Sequence, residues 1–316
     1  MQFVTVTKTT DANGYLTYSF PQPIGGVLVG TNTPLAGLDT GIISASAQVT
    51  GANSVKVRVW VTGADWTIKP ASKKPVAITL IGLDPVVVPP PPPSGDATPP
   101  ANPAFKTSDP EGSWSPVENW ELKNNMWNGD ATKLGSQTFW ADSISSFGCT
   151  ATMKAGNTAV ETYPNAQRLF YDTNEVDPKV TSFKAITSSW AQIQPMNVAG
   201  YIGEAAYDIW LNSWAIEVMI WVENHGQEPA GNKLASPTIG GTTFDFYKDG
   251  SDYLAFIQKN AASGSVDILA VLKWLQANGH VPATAGLTAV DFGWEICSTG
   301  GNPLNFKVTD YKLNVS

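Results

Sequence analysis

Most of the chain carries its apolar residues with period 2, and that period predicts β-strands. Val55, Val57, Val59 and Val61 alternate with Lys56, Arg58 and Trp60. Between 215 and 222, Ile216, Val218, Ile220 and Val222 share one face, and Glu217, Met219 and Trp221 share the other. Between 290 and 297 the two faces are Val290, Phe292, Trp294, Ile296 and Asp291, Gly293, Glu295, Cys297. Between 206 and 211, Tyr207, Ile209 and Leu211 oppose Asp208 and Trp210, and 242–247 reads as a further strand. One segment has helical period. Over 265–279 Ile268, Leu269, Leu272 and Leu275 recur three or four apart, and Asn278-Gly279 forms a C-terminal stop. Many strands and one helix predict an all-β chain, a β-sandwich or jelly roll. No βαβ alternation, glycine-rich phosphate loop or internal repeat is present.

The pattern breaks at 85–104. The run Pro89-Pro-Pro-Pro-Pro93, with Pro85, Pro99, Pro100 and Pro103 around it, favours polyproline II and cannot join a sheet, so it reads as a semi-rigid linker. Residues 1–84 before it form a small all-β module. Asn13-Gly14, between Val4/Val6 and Tyr15/Leu16/Tyr18, predicts a hairpin turn. The layout of Thr10-Asp-Ala-Asn-Gly-Tyr-Leu-Thr-Tyr-Ser-Phe-Pro-Gln-Pro23 resembles small β-sandwich modules of phage tail and tail-fibre proteins. Residues 105–316 form the large domain.

Composition narrows the partner. The 316 residues carry a net charge of −8 and only two arginines, Arg58 and Arg168. A basic footprint for nucleic acid or an anionic membrane is missing, and a neutral polymer fits. Twelve Trp and nine Tyr suit the flat C–H faces of pyranose rings, although core packing is the default for any single Trp. The N-terminus alternates and has no apolar targeting core, and no apolar run reaches the roughly 20 residues of a membrane span. Cys149 and Cys297 allow at most one disulfide and no thiolate metal site.

The chemistry lies on the non-core faces. Glu217 sits beside Met219 and Trp221, Glu295 beside Gly293, and Asp208 beside Trp210. A lone carboxyl next to a thioether and an indole suggests a cleft wall that raises its pKa. Gly293 is read as leaving open space beside Glu295. Two facing carboxyls are what glycosidic hydrolysis requires, one to protonate the leaving oxygen and one to attack or to activate water. A third acid helps hold the pair's pKa values apart. Periodicity alone favours ordinary solvated acids.

Several segments, in order, resemble glycoside hydrolase family 12 from about 114 to 316: Asn124-Asn-Met-Trp127, Phe147-Gly-Cys149, Glu161-Thr-Tyr-Pro-Asn165, Ala206-Tyr-Asp-Ile-Trp-Leu211, Glu217-Val-Met-Ile-Trp221 and Phe292-Gly-Trp-Glu295. The resemblance implies a jelly roll with an open concave cleft and retaining endo-hydrolysis of β-1,4-glucan (cellulose-type, mixed-linkage or xyloglucan) through a covalent glycosyl-enzyme, without cofactor or metal. It implies Glu217 as nucleophile, Glu295 as acid/base and Asp208 as support for the nucleophile. Trp127 would stack on a sugar with Asn125 nearby, Met219 would line the floor, and Trp210 and Trp221 join them as substrate-binding residues. The family's Pro-aromatic pair after the acid/base is replaced by Ile296-Cys297, which puts the leaving-group side in question.

The remaining acids and histidines receive structural readings. Glu204 and Glu223 are expected at a loop or rim, Glu161 at an exposed strand end, and His225 and His280 in solvent. Trp114, Trp120, Trp140 and Trp190 are left open between core and cleft. The thiols are read as free, with a Cys149–Cys297 bond open. A monomeric catalytic domain is expected, acting outside cells or on a virion, with the N-terminal module on a cell-surface or virion component. The alternatives are a glucan binder without turnover and a phage attachment protein.

Overall fold

The computed structural model describes residues 2–21, 24–31, 43–51, 53–62, 68–72, 75–83, 97–128, 135–171, 176–195 and 198–316. The chain divides into two compact units, Met1–Val86 and Val87–Ser316. The proline run at 89–93 lies outside the described residues.

The first unit contains β1 (Gln2–Thr9), β2 (Tyr15–Ser19), β3 (Gly26–Thr31), β4 (Ile43–Val49), β5 (Ser54–Thr62), β6 (Ile68–Pro70) and β7 (Pro75–Leu83). They form one sheet of order β1-β7-β3 and a second of order β2-β5-β4, with β6 on β5. Val55, Val57 and Val59 are fully buried with Val6, Leu16, Ile78 and Leu80, as the alternation of β5 requires. The Asn13-Gly14 turn forms, with Gly14 at φ 79 and the Asp11 side chain accepting from Asn13 N and Tyr15 N. It is not a hairpin between paired strands: β1 pairs with β7 and β2 with β5. The turn carries the chain from one sheet to the other, because the long-range partners win the edges.

The second unit runs β8 (Phe105–Thr107), β9 (Ser113–Trp114), β10 (Trp120–Lys123), β11 (Gly135–Ser143), β12 (Ser146–Met153), β13 (Asn165–Leu169), β14 (Ile186–Ile193), β15 (Tyr201–Leu211), β16 (Ile216–His225), β17 (Asn232–Ala235), β18 (Thr238–Ile239), β19 (Thr242–Thr243), β20 (Asp245–Asp249), β21 (Tyr253–Ile257), β22 (Ser263–Asp267), α1 (Ile268–Ala277), β23 (Leu287–Thr299) and β24 (Leu304–Val315). A nine-stranded sheet of order β17-β20-β21-β16-β15-β23-β13-β10-β9 packs on a six-stranded sheet of order β22-β14-β24-β12-β11-β8. This is a jelly-roll sandwich. Between the sheets lie Val218, Ile220, Val222, Tyr207, Ile209, Phe292 and Trp294, all fully buried. Phe292 stacks on Tyr311 at 5.2 Å and meets Tyr207 at 4.7 Å. Such a ring contributes roughly 3–5 kcal/mol against truncation to Ala.

The helix begins later than its sequence pattern suggests. Residues 263–267 are a strand paired with β14, and Asp267 caps α1 by accepting from Ala270 N at 2.9 Å. Ser265 and Val266 follow the sheet because an edge partner is available, and a side-chain cap starts the helix one residue after it. Ala97 is buried and Ala104 N bonds Asp142 at 3.3 Å, so ordered packing of this unit begins ahead of residue 105.

Candidate active site

Strand β15 lies between β16 and β23, and register decides what shares its outer face. Glu217 stands opposite Trp210, Met219 opposite Asp208 and Trp221 opposite Ala206. Asp291 stands opposite Asp208, Gly293 opposite Ala206 and Glu295 opposite Glu204. Directly opposed residues of antiparallel strands point to one side of a sheet. The carboxyls of Glu217 and Glu295 therefore leave two strands flanking β15 on the same face. Asn125, Trp127, Asp208, Trp210, Glu217, Met219, Trp221 and Glu295 all line one cavity of about 670 Å³. A smaller depression of about 370 Å³ adjoins it, sharing Trp210, Trp214, Glu217 and Tyr253.

The cavity is lined by acids above an apolar floor. Met219, Trp221, Ala206 and Ala255 form a buried cluster, edged by Tyr247, Tyr253 and Ile257, and the Trp221 indole donates to the Met219 sulfur at 3.3 Å. Trp221 is 1% exposed, so it forms floor and offers no open ring face. Burial, followed by the charges of Glu295 and Asp252, pushes the Glu217 carboxyl up to about 7. Asp208 is held well above the carboxylate range by burial and then by Glu217, Asp291 and Glu295. One Asp208 oxygen accepts from Trp210 Nε1 at 2.9 Å, and the other is buried without a partner. Asp291 rises to about 7 through burial, opposed by the Gln167 amide that donates to it at 2.8 Å. Burial also raises Glu295, opposed by a hydrogen bond with Glu204. Carboxyls raised by burial above an apolar floor suit proton exchange with a substrate made of hydroxyl and ether oxygens.

Turn strain positions the rim. Asn125 takes φ 45, and its carbonyl accepts from Tyr163 N at 2.9 Å and from Thr162 Oγ1 at 3.0 Å. This lock presents Trp127 at the cavity with 57% of its surface exposed. Trp127→Ala is expected to raise KM for long glucan chains roughly tenfold, the order of one stacked ring, and to leave the melting temperature within about 1 °C. Unchanged KM across chain lengths would remove Trp127 from the binding surface.

The reading of three acids is corrected by the structure. Glu204, expected at a loop or rim, is fully buried in β15. Glu223 is 5% exposed and points between the sheets, because the register shifts between Ala205 and Ala206 and sets it opposite Ala205. There it accepts from Gln192, which also receives the Trp294 indole. Glu161 is 2% exposed and accepts from the Asn157 amide. Nor is there open space at Gly293. A Cβ there would meet Pro164 O at 2.1 Å, so the glycine admits the crossing backbone of 164–165.

The other open points resolve as packing. Trp140 and Trp190 are buried, and Trp114 and Trp120 pack on the core edge. His225 is half-buried against Glu223 at 3.6 Å, and His280 stacks on Trp274; neither lines the cavity. Both thiols are free. Cys149 belongs to the intersheet core, whereas Cys297 lies on the opposite face of β23 and donates to Gln227 Oε1 at 3.2 Å.

A family model of glycosyl hydrolase family 12 matches residues 118–316. The chain belongs to glycosyl hydrolase family 12. The xyloglucan-specific endo-beta-1,4-glucanase A of Aspergillus niger is 26% identical over 212 residues, covering 61% of this chain and 84% of that protein. Xyloglucan-specific endo-beta-1,4-glucanase 1 of Phytophthora sojae is 26% identical over 200 residues, covering 58% and 81%. Among solved folds, the family 12 xyloglucanase of Bacillus licheniformis aligns at TM-score 0.59 and 22% identity, covering 67% of this chain and all of that one. The xyloglucanase domain of NopAA from Sinorhizobium fredii, in complex with cellobiose, aligns at 0.59 and 21%, covering 68% and 100%.

This family 12 glycoside hydrolase also recruits residues that the sequence pattern did not single out. Asn212, Ser213 and Trp214 take φ 54, 55 and 71 in succession, a conformation costly for residues with a Cβ. Asp177 and Thr288 hold Ser213 N at 2.7 and 2.9 Å, and Gly286 N holds Asn212 Oδ1 at 2.9 Å. The turn sets Trp214 beside Trp210, ring centroids 5.7 Å apart. Tyr253, Gln167, Gln227 and Asp291 also line the cavity. Only Asp291 carried a signal, as a second acid on the face of Glu295.

Proposed function

We propose that the protein cleaves β-1,4-glucosidic bonds within glucan chains by double displacement with retention, with xyloglucan as its preferred substrate and cellulose-type or mixed-linkage glucan accepted. The observation that carries this reading is the pair Glu217 and Glu295, delivered from two strands flanking β15 into one acidic cavity. Glu295 gives its proton to the glycosidic oxygen as Glu217 attacks the anomeric carbon, and the C–O bond to the leaving chain breaks. Glu295, now a carboxylate, takes a proton from water as that water displaces Glu217. Asp208, anchored by Trp210, tempers the charge of Glu217. The Trp127 and Trp214 rings, exposed at the cavity, offer faces to successive sugars. Xyloglucan is favoured because both curated relatives named above act on it.

Products from a panel of xyloglucan, mixed-linkage glucan and carboxymethylcellulose, followed by proton NMR from the first minute, test the reading. New internal cuts and β-anomer first are expected; α-anomer first overturns retention, and no reducing ends overturns hydrolysis. We assign residues 1–84 to attachment on a cell-surface or virion component, 85–104 to the linker and 105–316 to catalysis outside the cell. A chain starting at Ala97 is therefore expected to match the full protein on soluble glucan, and loss of that activity would refute the division. Among the described residues no helix is long and apolar enough to cross a membrane.

A further inference from the structure

Glu204 has no part in the steps above, yet it stands directly opposite Glu295 on the neighbouring strand. It is fully buried. Other buried carboxyls of this domain each accept a side-chain donor: Asp208 from Trp210, Asp291 from Gln167, Glu223 from Gln192 and Glu161 from Asn157. Neither oxygen of Glu204 receives one. The carboxyl that faces it across the strand pair is that of Glu295, and two carboxyls bond only when one of them carries a proton.

We propose that Glu204 is a positioning residue for the acid/base, staying protonated throughout and donating its O–H to Glu295 whenever Glu295 is ionised. The proposal rests on Glu295 being the acid/base. Two features assign the proton to Glu204. It is the deeper of the two, since Glu295 reaches the cavity and is part-exposed, and an ion is disfavoured most where water is absent. The titratable groups coupled to the pair are also all acids, so none offers it a positive charge. They are Asp208 on β15, Glu217 on β16, Tyr253 on β21, Tyr163 on the segment crossing β23, Cys297 on β23, and Tyr201 at the start of β15. His225, the nearest histidine on β16, faces Glu223 and Tyr201 instead.

The proton count closes. The proton given to the leaving oxygen comes from Glu295 and is replaced from the attacking water, while the Glu204 proton never leaves its oxygen. Its hydrogen bond stabilises the Glu295 carboxylate through the life of the glycosyl-enzyme, a charge-assisted contact of the strong kind. It also keeps Glu295 from becoming too weak an acid in its buried setting.

The test compares the full-length protein with Glu204→Gln and Glu204→Leu, measuring kcat/KM against pH on soluble xyloglucan together with melting temperature. Gln can still donate to a carboxylate; Leu cannot. Glu204→Leu is expected to move the alkaline limb up by about one pH unit and to lower kcat roughly ten- to a hundredfold with KM little changed. Glu204→Gln should restore the limb and most of kcat. If Glu204→Leu leaves the limb in place, or if both variants lose rate and stability alike without moving it, the inference falls. Glu295→Ala, assayed alongside, separates the two claims: inactivity on glucan with azide rescue keeps Glu295 as acid/base even where Glu204 fails.

Discussion

Glu217→Gln is expected to reduce kcat on soluble glucan by roughly four to six orders of magnitude while leaving the β-sheet signature in circular dichroism intact. An amide is isosteric with the acid and no nucleophile, so the covalent intermediate cannot form. The same change should raise stability, and its pH dependence shows why. Burial and the charge of Glu295 lift Glu217 from its ordinary 4.5 to about 7. Between those values the folded protein keeps a proton that the unfolded chain has released. The contribution of this group is therefore fully present below about 4.5, and it falls away as pH rises towards 7. Gln carries no such proton. The melting temperature of the variant, measured on the transition of the second unit, should pull ahead of the parent's across that window and hold its lead above it. The ceiling is on the order of 3 kcal/mol, from 2.5 pH units at about 1.4 kcal/mol each. Near-normal turnover in the variant would remove Glu217 from the nucleophile role. A constant gap in melting temperature would show that its carboxyl is better solvated than the cavity implies.

Glu295→Ala is expected to lower kcat on glucan about a thousandfold, within the range that general acid–base catalysis supplies. Its effect should depend on the leaving group. A dinitrophenyl cellobioside departs without a proton, so formation of the glycosyl-enzyme should survive and its hydrolysis become limiting. Azide, small enough for the space vacated by Glu295, should then restore turnover and yield the β-glycosyl azide. That configuration follows from two displacements at one carbon. An α-azide, or rescue failing with both substrates, would exclude Glu295 as the acid/base of a retaining reaction.

The two experiments probe the two carboxyls of one cavity, and their contrast follows from local environment. Glu217 rests beside a thioether floor and near Asp252, while Glu295 rests beside a second carboxyl, Glu204, and a free thiol, Cys297. The Ile296-Cys297 pair that departs from the family's pattern now has a place. Ile296 fills the intersheet core, and Cys297 bonds Gln227 in the loop after β16, a residue of the cavity wall. Burial and the neighbouring acids push that thiol up to about 12, so it acts as a neutral donor.

Alternation along single strands was readable because side-chain direction in a strand has period 2 whatever the strand pairs with. It put Val218, Ile220 and Val222 in the core and Glu217, Met219 and Trp221 on the cleft face, and it separated Phe292 and Trp294 from Asp291 and Glu295 in the same way. Tertiary structure decided what depends on register and on left-handed turns. A one-residue slip beside Ala205 turns Glu223 inward, and pairing alone brings Glu204 against Glu295. Three consecutive positive φ angles aim Trp214 at the cleft, held by Asp177, Thr288 and Gly286, which lie 36 to 75 residues away. These features are contacts between distant segments, and a local pattern of apolar and polar positions carries no term for which strand becomes the neighbour.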